Sequence, residues 1–202
     1  MTVFGTDMHI VTFVFIILET IMFLYQALFY LQKPFEKKRL YYLILLFLLL
    51  VYNITGGLFP DPKLPVSIVL QNILAYGGGF LFACYQPYYF YKAYKLTTLR
   101  FHAVYGALLF LFVPYVLFFI IEYTLSNDID TVVKQGVFVP GIYAVIVLIA
   151  ILRSIRIKLK EEKQDKLEMI FREVRMSDVI DYFLHQLLTH FLMLHEINRR
   201  YA

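Results

Sequence analysis

The chain has 202 residues, of which 60% are apolar, 18% aromatic and 17% charged, and its mean hydropathy is +0.67. A soluble domain carries about 45–50% apolar and about 25% charged residues, so these values exclude a disordered chain, a disulfide scaffold and an ordinary water-soluble enzyme. The net charge of +4 is not a nucleic-acid signal, because the cations sit between apolar runs; the bilayer is the expected partner, and no nucleic acid is expected.

Five stretches reach or approach the roughly 20 residues needed to cross the hydrocarbon core: about 8–31, 39–59, 65–91, 101–123 and 135–152. The first lacks the basic start and small-residue cleavage site of a signal peptide, so it reads as a retained anchor. The fold class expected is an all-α, polytopic transmembrane helix bundle over residues 1–155. Lys33, Lys37, Lys38 and Arg39 follow the first span, Lys92, Lys95 and Arg100 the third, and Arg153, Arg156, Lys158 and Lys160 the fifth. The alternate connections hold Lys63 and Lys134. Short-loop Lys and Arg mark the cytoplasmic side, which puts the N-terminus outside and the C-terminus in the cytoplasm of a bacterial inner membrane. Gly56-Gly57-Leu58-Phe59-Pro60-Asp61-Pro62 and Ser126-Asn127-Asp128-Ile129-Asp130 carry the turn residues expected of the two outer loops.

Residues 156–202 read as a cytoplasmic helical tail. Basic and acidic side chains alternate from Lys158 to Arg175 around one apolar stripe. Ser177 and Asp178 could then cap a second amphipathic helix. Over residues 179–198 an ionisable group at mid-membrane would cost roughly 2.5–3.5 kcal/mol, so this segment is expected beside the membrane and not across it. Asp181, His185 and His195 lie on its polar side and are the candidates for facing a partner.

Within the spans, Glu19 lies about 16 Å below the outer end of the first at 1.5 Å per residue. A carboxyl at that depth must be neutral, paired or facing water, and it is the leading candidate for binding a proton or ligand. Tyr76 is expected at similar depth and could donate to it. Asn53 and Asn72 are expected at matching depth, where amides pair across helices. Gly77-Gly78-Gly79 weaken the third span by about 1 kcal/mol each relative to alanine and allow close approach or bending. Pro87 interrupts the same helix, which makes these four residues the hinge candidates. Gly78→Ala is expected mainly to stiffen it.

No metal or cofactor is expected: His9 and His102 lie at opposite membrane ends, and His190 points away from His185 and His195 at about 100° per residue. Mid-span lysine, a phosphate-binding glycine loop and a Ser-His-Asp order are lacking. Glu161-Glu162 sit among lysines, unlike the buried carboxylates of an intramembrane protease.

Tyr52-Asn53-Ile54-Thr55-Gly56-Gly57-Leu58-Phe59-Pro60 through Tyr76-Gly77-Gly78-Gly79-Phe80, with Tyr89-Phe90-Tyr91-Lys92-Ala93 through Leu99-Arg100-Phe101-His102-Ala103-Val104-Tyr105-Gly106, resembles the N-terminal multi-span sensory region of bacterial sensor histidine kinases over about residues 8–157. The resemblance implies a membrane region that perceives a signal and passes it through a cytoplasmic helix. The kinase core is missing, and the spans are fewer than that family carries. The expected function is therefore a non-enzymatic sensor or signal relay, homo-oligomeric, acting through a cytoplasmic signalling protein. The alternative is a small oligomeric membrane effector or pore that alters permeability.

Overall fold

The computed structural model describes residues 8–161, and every element in them is helical. Five helices are long and apolar enough to cross a membrane: Ile10–Gln32, Lys37–Leu58, Ile68–Ala93, Thr97–Ser126 and Ile129–Lys160. They are called here the first to fifth helices. The described part of Met1–Ser154 forms one compact unit, and residues from Ile155 onward belong to a second, in which the helical stretch to Glu161 is described.

The helix ends follow local chemistry. Lys33, with φ −136° and ψ 70°, closes the first helix; it precedes Pro34, and a residue before proline is pushed out of the helical region. Phe59 is extended at the end of the second for the same reason, preceding Pro60. Gly56 and Gly57 remain helical, and the turn between the second and third helices begins three residues later than their identity suggests. Ser67 opens the third helix by accepting a bond from the Leu70 amide at 3.3 Å. That helix runs unbroken past Pro87 to Ala93.

The fourth and fifth helices are joined at Asn127, which adopts the left-handed conformation with φ 54° that asparagine tolerates better than most residues. The Asp128 carboxylate accepts from the amides of Asp130 at 3.1 Å and Thr131 at 3.3 Å, and from the Thr131 hydroxyl at 2.6 Å. These bonds hold its carboxyl below the usual carboxylate range and start the fifth helix at Ile129, six residues before its apolar run. Lys134 is thus helical. In the fourth helix the amides of Ala107, Val113 and Tyr123 bond to carbonyls five residues back. Helical torsions persist there (φ −62°, ψ −41° at Ala107).

The core lies among the second to fifth helices, where Leu45, Leu46, Phe82, Phe119, Val132 and Ile151 are buried. The first helix is peripheral: Leu18, Ile21, Leu24, Leu28 and Leu31 are 51–73% exposed, as side chains facing hydrocarbon must be. Its buried residue is Glu19, at 7% exposure.

Candidate functional site

An apolar helix whose one buried side chain is a carboxylic acid inverts the pattern of a soluble amphipathic helix. In lipid the apolar face has nothing to hide from, whereas an unsatisfied polar group costs several kcal/mol in order of magnitude. Glu19 is consequently turned onto the second helix, where its Oε1 accepts from Asn53 Nδ2 at 2.5 Å. Neighbouring contacts set this register. Thr12 and Met8 approach Gly57, and Phe23 lies 6.2 Å from Phe47 between ring centroids, so the antiparallel seam places position 19 beside position 53. Asn53 is 2% exposed. The second carboxyl oxygen, Oε2, is buried and has no hydrogen-bond partner among the described residues. One oxygen held by an amide and one left open is an arrangement that can take a proton, a cation or a hydrogen-bond donor.

Tyr76 does not complete this pair. It packs on the fourth helix, its ring 4.5 Å from that of Phe119. Asn53 and Asn72 do not meet either. Asn72 donates to the Tyr123 hydroxyl at 2.7 Å, and Asn53 is taken by Glu19. Each amide found the nearest acceptor on a different neighbouring helix, which residue type could not foretell.

The glycine run lies between these polar pairs at three close approaches. A Cβ on Gly78 would stand 3.2 Å from the Cα of Tyr52 and 2.8 Å from the Thr55 hydroxyl, one on Gly79 would press the Tyr52 ring, and one on Gly77 the Tyr115 hydroxyl. Tyr115 in turn donates to the Ile73 carbonyl at 3.0 Å. The backbone of Tyr52, next to Asn53, therefore rests directly on the third helix. Pro87 is fully buried.

Other polar side chains take partners that residue type alone did not give. Gln71, entirely buried, ties down the loop between the second and third helices: its Oε1 accepts from the Asp61 amide at 2.7 Å, and its Nε2 donates to the carbonyls of Asp61 at 3.1 Å and Val66 at 2.7 Å. Gln86 is 4% exposed, and its Nε2 has no partner among the described residues; the available signal was an amide inside an apolar run just before a proline. His102 shares a 3.0 Å hydrogen bond with Tyr143, and His9 caps the first helix by accepting from the Val11 amide. Among the described residues no group of three His, Cys, Asp or Glu could hold a metal ion. Asp181, His185 and His195 lie outside the described residues. No protein-family model, no curated protein and no solved structure matches the chain.

Proposed function

We propose that the chain is a non-enzymatic, multi-pass sensor of the bacterial inner membrane, with its N-terminus outside, that passes a membrane or small-ligand signal to a cytoplasmic partner as a homo-oligomer. The observation that supports this reading best is the half-satisfied carboxyl of Glu19, buried against Asn53. Intramembrane ionisable groups are functional-site candidates by default. Asn53 follows Tyr52, whose backbone leans on Gly78, so a change in what Glu19 binds reaches the third helix through a single residue step. The likeness to the sensory regions of histidine kinases is consistent with this, and the charge distribution favours the same orientation.

A relay needs two conformations separated by only a few kcal/mol. Spin labels on cysteines replacing Leu24 and Leu74, exposed positions of the first and third helices, with Cys84→Ser, test this by distance distributions in nanodiscs. Two populations are expected for the parent chain, collapsing to one in Glu19→Gln, while proteoliposomes stay tight to small ions. An identical distribution in both proteins defeats the relay. Ion leakage abolished by Glu19→Gln would establish the pore instead.

A further inference from the structure

The second and third helices run antiparallel, and at one membrane end they expose matching stripes. On the second, Lys37, Tyr41, Ile44 and Leu48 are spaced to share one helical face; on the third, Lys92, Tyr88, Tyr85 and Leu81 share another. Contacts show that the two faces adjoin. The Tyr41 and Tyr88 rings meet edge to face at 6.2 Å, and the Tyr85 hydroxyl donates to the Tyr41 carbonyl at 3.2 Å. Read inward from the membrane end, each stripe goes from a cation, through tyrosine, to an aliphatic side chain. Lys37 and Lys92 are exposed, and Ile44 and Leu81 are 36% and 54% exposed.

The cations here are not neutralised by carboxylates of their own segments. Residues 33–48 contain one, Glu36, which Arg39 holds at 3.0 Å, and residues 81–100 contain none. Aromatic faces hold the charge in place: the Lys92 ammonium stands 5.0 Å from the Tyr91 ring centre and 5.8 Å from that of Tyr88. Phe35, 95% exposed in the preceding turn, adds an apolar anchor at the same level.

We propose that this double stripe binds one acidic phospholipid, with its phosphate between Lys37 and Lys92, its glycerol ester region against Tyr41, Tyr85 and Tyr88, and its acyl chains along Ile44, Leu48 and Leu81. The order of chemistry along both helices is that of such a lipid from headgroup to tail. A free phosphate would use the first tier alone, and a zwitterionic lipid brings its own cation to a cationic site. The site is independent of the relay reading and of the side on which this end lies.

The test is native mass spectrometry of the full chain released from micelles containing equal phosphatidylglycerol and phosphatidylcholine. Phosphatidylglycerol adducts are expected to dominate, with Lys37→Gln/Lys92→Gln reducing their retention about thirtyfold, from the attraction typical of two lysines near an acidic surface. Lys37→Arg/Lys92→Arg should keep the preference. Equal retention of both lipids by the parent chain overturns the proposal, whether or not the glutamine variant folds. So does an unchanged preference in a folded glutamine variant. Displacement of the lipid by glycerol phosphate at similar concentration would assign a free-anion site and overturn the lipid.

Discussion

Buried amides in this bundle have no water to turn to, so each residue-scale bond tests how much a membrane interior adds to an ordinary hydrogen bond. Asn72 to Tyr123, at 2.7 Å between the third and fourth helices, is the cleanest case because each partner has an apolar isostere. A double-mutant cycle with Asn72→Leu and Tyr123→Phe should give a coupling of about 0.6 kcal/mol, and at most about 1.7 kcal/mol, read from unfolding in mixed micelles. A coupling near zero would mean that the bond is replaced by another partner when broken. Glu19, Asn53 and Asn72 were legible as candidates because a polar side chain in an apolar run is conspicuous. Their partners were not, because partner choice depends on how each helix is rotated about its axis, which no single position encodes.

At the scale of the element, two glycines separate packing from propensity. Gly141, in the fifth helix, has nothing within 4 Å of where a Cβ would stand, whereas Gly78 has the Tyr52 backbone at 3.2 Å. Gly141→Ala should therefore stabilise the protein by up to about 1 kcal/mol, the helix-propensity difference. Gly78→Ala gains the same propensity but forces two helices apart, which costs about 1–3 kcal/mol, so a net loss is expected. Thermal melts of both variants in one detergent decide it; a Gly78→Ala that melts at or above the parent would show that the helices separate freely. The expectation that alanine at 78 mainly stiffens the helix neglected this neighbour. Sequence placed Gly56 and Gly57 in a turn for a related reason: glycine marks turns in water, but here Gly57 serves the approach of Thr12 and Met8 from the first helix.

For the whole molecule, the decisive quantity is the side on which each connection lies. A reporter active only in the cytoplasm should be active when fused after Lys160 and silent after Asp61, because eleven Lys and Arg flank one set of connections and two the other. Activity after Asp61 with silence after Lys160 would reverse the orientation and the direction of the proposed relay. Glu19, at mid-span, would remain the candidate ligand group in either case.

Composition and hydropathy by themselves determined that the described residues are helical with five candidate spans, since an apolar run of this length must satisfy its backbone internally. They also located the first four spans to within a few residues. The fifth starts six residues before its apolar run, because Asp128 and Thr131 start the helix by hydrogen bonding and hydropathy does not register a cap. Tertiary structure decided everything that depends on rotation and register: that Glu19 faces Asn53, that Tyr76 turns to Phe119, that the glycines are contact surfaces, and that Lys37 and Lys92 head adjoining stripes. A span may rotate about its axis without changing its composition, so only the packing of neighbours fixes which of its side chains meet.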